Sequence, residues 1–264
     1  MAALDLLERF AALVRGPDGA LALDEAALLV AGHARADLDV GVALRDIDAL
    51  AAGCREPTLD GLRRHLFRDL GFGGNTDDYY DPENSYLDRV LERRTGLPIT
   101  LSVLTMEVGR RLGVPLAGVG MPGHFLVRDK VDTEVFVDPF GRGEVLDRHG
   151  CERRFRMVNG PGAPFADSFL EPVGRVAIVR RMLANLESIF LASSDRDSLA
   201  WVLALKAVLP GGGPAELGKL VSVLTAAGRY DRAADTLDRM AVILPADEAE
   251  QARHRSRELR SRLN

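Results

Sequence analysis

The stretch Pro122-Gly123-His124-Phe125-Leu126-Val127-Arg128, answered by Glu134-Val135-Phe136-Val137-Asp138-Pro139, constrains the fold more than any other part of the chain. Both segments alternate and are rich in β-branched and aromatic residues. The five residues between them, 129–133, are polar and turn-like, which predicts a β-hairpin. Symmetric pairing sets His124 opposite Asp138, Leu126 opposite Phe136 and Arg128 opposite Glu134, each pair leaving one face of the sheet. Phe125, Val127, Val135 and Val137 take the other face as a buried apolar set. A slip of one residue would undo both the buried face and the pairing of imidazole with carboxylate.

A histidine beside an aspartate is the orienting half of a nucleophilic triad. The carboxylate fixes the tautomer, and the imidazole can accept a proton from a thiol or hydroxyl. The same pair equally suits a structural role in which the carboxylate caps a buried ring.

The hairpin needs helices to cover it, and the flanking sequence supplies them. Helical spacing runs over residues 2–15, 21–33, 39–52 and 59–70, the last with Thr58 as N-cap. Residues 71–84 are a glycine-rich, acidic loop whose Asp77, Asp78, Asp81 and Glu83 lack calcium-loop spacing and read as solvated turn residues. Ser85 is positioned to cap a helix reaching Arg94. Pro98 then opens another, with Leu101, Leu104, Val108 and Leu112 as its buried stripe and Gly113 as its stop. Residues 116–120 predict one more strand, 144–146 a further one, and 152–157 a short charged helix. His33 and His65 read as packing or surface residues, His149 and Cys151 as a surface turn. Asn159-Gly160-Pro161-Gly162-Ala163-Pro164 marks a boundary.

Beyond it the chain repeats. Ser194-Asp195-Arg196-Asp197-Ser198-Leu199-Ala200 and Gly228-Arg229-Tyr230-Asp231-Arg232-Ala233-Ala234 lie 34 residues apart, and Val208-Leu209-Pro210 and Ile243-Leu244-Pro245 lie 35 apart. That is the arithmetic of tetratricopeptide helix pairs. Leu183, Leu186 and Phe190 in one unit answer Leu217, Leu220 and Leu224 in the next.

The wording of several segments is family-specific. Phe67-Arg68-Asp69-Leu70-Gly71-Phe72-Gly73-Gly74-Asn75, Asn84-Ser85-Tyr86-Leu87, Gly96-Leu97-Pro98, Arg110-Arg111-Leu112-Gly113-Val114-Pro115 and Pro122-Gly123-His124-Phe125 resemble the transglutaminase-like superfamily, in its bacterial, SirB-type branch with a tetratricopeptide tail. The resemblance covers roughly residues 60–245. It implies an α+β fold in which N-terminal helices precede a papain-like core of one buried helix against an antiparallel sheet. The expected divisions are an N-terminal helical layer (1–70), the core (71–158), a linker (159–174) and a tetratricopeptide-like region (175–264). In the superfamily a cysteine opens the helix, and a histidine and an aspartate follow on the strands. His124 and Asp138 match the latter two, whereas Pro98 stands at the cysteine position. Thr100 and Ser102 are the nearby hydroxyls.

Composition narrows the function. Basic residues number 34 and acidic residues 39, giving a net charge of -5, and they are interspersed, which argues against a nucleic-acid partner. No apolar run approaches the ~20 residues needed to span a bilayer, and the first residues are acidic where a secretory signal is basic, so a cytoplasmic location and no membrane partner are expected. Cys54 and Cys151 lack disulfide or zinc spacing, and neither cofactor nor metal is expected. Two functions remain open. In one, a degenerate core presents a helical groove to a protein or peptide. In the other, a hydrolase uses His124 and Asp138 with Thr100, Ser102 or water against an amide or ester. The sequence leaves oligomeric state open.

Overall fold

The computed structural model describes residues 3–263. Contacts divide the chain into two compact units, one of residues 17–182, the other formed by the segment before residue 17 together with the chain from residue 183.

In the first unit, helices α2 (Leu23–Ala34), α3 (Val40–Ala52) and α4 (Leu59–Arg63) come first. The N-caps are local: Asp39 accepts from the Val42 N–H and Thr58 from that of Gly61. The predicted helix over 59–70 changes geometry after Arg63, where a π-helical turn runs Arg64–Asp69 and the Leu70 N–H reaches back to the His65 carbonyl. Short strands β1 (Gly73–Gly74) and β2 (Thr95–Gly96) pair in parallel on either side of α5 (Leu87–Arg93). Ser85 does not cap α5. It lies in a preceding 3-10 turn with its hydroxyl buried and unpartnered, and Tyr86 occupies the cap position. The acidic loop before it is ion-paired, Arg93 lying 2.7 Å from Asp81 and 3.1 Å from Glu83.

Helix α6 (Pro98–Leu112) is the centre of this unit, with every residue from Pro98 to Gly109 buried. Proline suits its first turn because the missing N–H has no helical partner there, and Gly113, at φ 73°, closes it. The burial is wider than the expected stripe, because α6 is covered by α2 and α3 as well as by a sheet. That sheet is an antiparallel meander of β3 (Leu116–Val119), β4 (Leu126–Asp129), β5 (Phe136–Asp138) and β6 (Glu144–Leu146).

The β4–β5 register differs from the symmetric pairing by two residues: Arg128 faces Phe136 and Val127 faces Val137. The cause is the loop. Asp129 accepts from the Val131 N–H, and Asp132 takes the Glu134 N–H on its carboxylate and the Val135 N–H on its carbonyl, which moves the turn one residue on. An even shift preserves the faces. Both faces are covered, however: α7 (Arg148–Asn159) supplies Cys151 and Phe155 to a cluster with Leu126, Phe136 and Leu146. Cys151 is therefore fully buried in a helix and not in a surface turn.

His33, in the last turn of α2, carries a measurable consequence. Burial pushes its imidazole down to about 4 from 6.5. The unfolded chain takes up this proton on acidification before the folded chain does, so stability should fall as pH drops from 6.5 toward 4. Urea titrations of His33→Gln are expected to lose that part of the slope; an unchanged slope would assign it elsewhere.

The second unit holds α1 (Ala3–Val14) and a run of helices: the end of α8 (Arg175–Ala192), α9 (Arg196–Val208), α10 (Pro214–Ala226), α11 (Tyr230–Ile243) and α12 (Ala246–Ser261). Each of α9 to α11 packs on the next. Leu183, Leu186, Phe190, Leu217, Leu220 and Leu224 are all buried. The turns repeat in backbone detail. Ser194 (φ 57°) and Gly228 (φ 71°) both take left-handed conformations, and the next N–H of each reaches back five residues, Asp195 to Phe190 and Arg229 to Leu224.

Candidate functional site

His124 and Asp138 approach from two chain turns. Gly123, at φ 75°, lets the chain reverse after Pro122, and the His124 N–H donates to the Met121 carbonyl. The Arg181 guanidinium then clamps this turn, donating to the carbonyls of Met121 (2.9 Å) and His124 (2.8 Å) while lying over the Phe125 ring. Asp138 ends β5, fully buried. Its Oδ1 is 2.9 Å from His124 Nε2 and accepts the Gly141 N–H at 3.0 Å, and the Arg154 guanidinium of α7 stands 3.2 Å from Oδ2. Burial alone would raise the Asp138 carboxyl, but the hydrogen bond and charge of His124, the Gly141 N–H and Arg154 together hold it below its ordinary range. An ionised Asp138 keeps the proton on Nε2, so Nδ1 is the nitrogen left with a lone pair.

The loop after Asp138 is tied to the start of α6. The Gly74 N–H donates to the Phe140 carbonyl, and Gly74 pairs with Gly96, two residues before Pro98. Asn84, fully buried, braces the same corner: it accepts from Asn75, donates to the Asp78 and Tyr79 carbonyls, and takes the Leu97 N–H on its own carbonyl. Edge-to-face rings connect outward from the imidazole, His124 to Phe140 and Phe140 to Tyr79, each at 5.9 Å between centroids.

Of the residues singled out in the sequence, His124 and Asp138 are in contact. Ser102 is fully buried and donates its hydroxyl to the Pro98 carbonyl at 2.7 Å. Thr100 is equally buried, and its Oγ1 has no hydrogen-bond partner. Thr100→Val is therefore expected to raise stability by about 1 kcal/mol, because it removes an unsatisfied buried hydroxyl at nearly constant volume. A loss of stability in urea melts would show that the hydroxyl is hydrogen-bonded. Neither thiol is poised for chemistry. Burial, reinforced by the carboxylates of Asp147 and Asp138, pushes Cys151 up to about 12, and Cys54 donates to the Glu56 carbonyl.

Arg181, Arg154 and Phe140 shape the site without a sequence signal, each acting across 15 residues or more, whereas Asn84 lies in a segment whose wording carries the family resemblance but does not state its bracing role. Among the described residues no group of three or more His, Cys, Asp or Glu side chains could hold a metal ion, and no helix is long and apolar enough to cross a membrane. A cavity of about 780 Å³ lies between α3 and α5 around Leu50 and Leu91, and neither His124 nor Asp138 lines it.

Comparison with known proteins fits this geometry. Residues 24–184 match the family model of the transglutaminase-like superfamily. A UPF0162 protein of Xylella fastidiosa (strain Temecula1) is 42% identical over 192 residues, 68% of this chain and 68% of that protein. A UPF0162 protein of Vibrio cholerae is 29% identical over 187 residues, 69% and 68% of the two chains. Mouse F-box only protein 21 shares 36% identity over 140 residues, 50% of this chain and 21% of that protein. No solved structure matches. By the family match and the Xylella relative, this chain belongs to the transglutaminase-like superfamily.

Proposed function

We propose that the core is a transglutaminase-like scaffold without acyl-transfer chemistry, and that the protein works by recognising a protein or peptide. The observation that carries this reading is the fate of Ser102, buried beyond contact with substrate and bonded to its own helix. Acyl transfer needs a nucleophile beside a base and an oxyanion site. Pro98 offers no such atom at the helix start, and Cys151 is held protonated in an apolar cluster. His124 and Asp138 then serve to lock the end of the sheet.

The tail supplies the recognition surface in this reading. The 34-residue recurrence of left-handed turns at Ser194 and Gly228 supports two tetratricopeptide-like pairs, α8–α9 and α10–α11, with α12 as cap, and such pairs offer a concave groove to an extended or helical peptide. The occurrence of a similar segment as about a fifth of a longer mouse protein suits a portable module.

A second reading has one specific observation behind it. Thr100 Oγ1 is unpartnered in the first turn of α6, so a rearrangement that opened this turn would free a hydroxyl, or a water activated at His124 Nδ1, to act as the nucleophile of an amidase or esterase. One experiment separates the two. The full-length protein and His124→Ala are assayed on a broad amide and ester panel, and bound partners are crosslinked to the same samples. No turnover by either protein, with crosslinks mapping to residues 183–263, is expected. Turnover by the parent that disappears in His124→Ala would overturn the scaffold reading.

A further inference from the structure

A second site lies where the segment Phe67-Arg68 meets the loop that follows Asp138. A cleft of about 490 Å³ opens there, and four arginines line it: Arg63, Arg64 and Arg68 from α4 and the π-helical turn, and Arg142 from the loop. Arg63 is anchored, donating to the Gly143 carbonyl and to Asp60, and Arg64 is paired with Glu56. Arg68 and Arg142 have no ion-pair partner among the described residues and are exposed. Four guanidinium groups thus meet two carboxylates, Asp60 and Glu56, leaving a surplus of two positive charges (4 − 2).

The backbone under both walls departs from regular geometry. The π-helical turn carries Arg64 and Arg68 on one short stretch, and such turns recur at functional sites. Arg142 takes φ 55°, a left-handed conformation unfavourable to any residue with a Cβ, between Gly141 and a Gly143 at φ 75°. The loop is fixed there by the Gly143 N–H to the Asp138 carbonyl and the Gly141 N–H to the Asp138 carboxylate. Room for the Arg142 stem comes from Gly73, where an added Cβ would stand only 3.0 Å from Arg142 Cγ. A strained arginine, held with an unpartnered charge over a cleft that already has three others, has no evident role in stabilising the fold.

We propose that this cleft binds the dianionic phosphoryl group of a phosphate monoester. Two unpaired guanidinium groups on opposite walls match a single group that carries two negative charges and three acceptor oxygens on one atom, whereas a dicarboxylate of the same charge splits it between two separate groups. The chemistry is shared by a small-molecule phosphomonoester and a phosphorylated side chain. Isothermal titration of the full chain with phenyl phosphate, a phosphoserine peptide and succinate tests the proposal. Phenyl phosphate or the peptide should bind, and whichever binds more tightly identifies the source. Succinate should bind at least about tenfold more weakly, and affinity should fall with added salt. Arg68→Gln and Arg142→Gly should each weaken binding by about tenfold or more. Arg142→Gly is the informative variant, because glycine suits the left-handed position: its melting temperature should hold or rise while binding is lost. Unchanged affinity in both variants, equal binding of succinate, or no heat from either phosphoryl probe at millimolar concentration would overturn the proposal.

Discussion

Glu107→Ala is expected to lower the stability of the 17–182 unit by about 3–5 kcal/mol, the range for removing one partner from a buried ion network. Glu107 is fully buried in α6. Its Oε1 lies 2.8 Å from Arg175, and its Oε2 lies 2.7 Å from Arg110 and 3.6 Å from Arg111. Arg111 also reaches the buried Asp24 at 2.7 Å and Asp48 at 2.6 Å. The carboxylate therefore joins the covering helices to the far end of the central helix through charge-assisted bonds. Alanine would leave a cavity facing three guanidinium groups, of which Arg111 is only 15% exposed and least able to regain water. Glu107→Gln keeps the shape and should lose less. The only tryptophan, Trp201, lies in the other unit, so hydrogen exchange of the α6 amides is the direct measurement. A loss below about 1 kcal/mol would mean that the arginines are solvated well enough without their partner.

Glu107 also marks where sequence reasoning stops. Followed by Arg110 and Arg111, it reads as the exposed face of an amphipathic helix, because charges at i+3 and i+4 are ordinary surface pairs. Its burial depends on Arg175, 68 residues away, and on helices whose packing partners no local pattern states. By contrast, the limits of α6 were legible because proline and glycine impose backbone conformation directly, and the hairpin was legible because alternation reports its two faces. Its register was not, since Asp129 and Asp132 decide the turn by bonding their own backbone, a choice between near-equal local geometries. The π-helical turn at Arg64–Asp69 is hidden for a related reason: one extra residue inside a helix leaves composition and spacing almost unchanged. The contact of His124 with Asp138 tolerates the register error, because His124 lies before β4 and reaches the carboxylate from a turn, not from a paired strand position.

Asp138→Ala should destabilise the same unit by about 3 kcal/mol, and its pH dependence identifies the cause. The substitution strips a fully buried acceptor from His124 Nε2 and the Gly141 N–H and removes the counter-charge of Arg154. Asp138→Asn keeps the volume and one acceptor, so its cost should be smaller, about 1–2 kcal/mol. Because the folded-state carboxyl is held below the ordinary aspartate value of 3.8, the unfolded chain binds this proton first as pH falls. The stabilisation is complete above 3.8 and is lost as pH drops from there through the lower folded value. The gap between wild type and Asp138→Asn in urea melts should therefore stay level from neutrality down to about pH 4 and close only below it. A gap that changes between neutrality and about pH 4 instead would show that the Asp138 carboxylate is not the controlling group. The distinction bears on function, since a dyad built to lock a sheet needs its carboxylate ionised over the whole physiological range. In that case His124→Gln should cost stability while leaving partner binding intact.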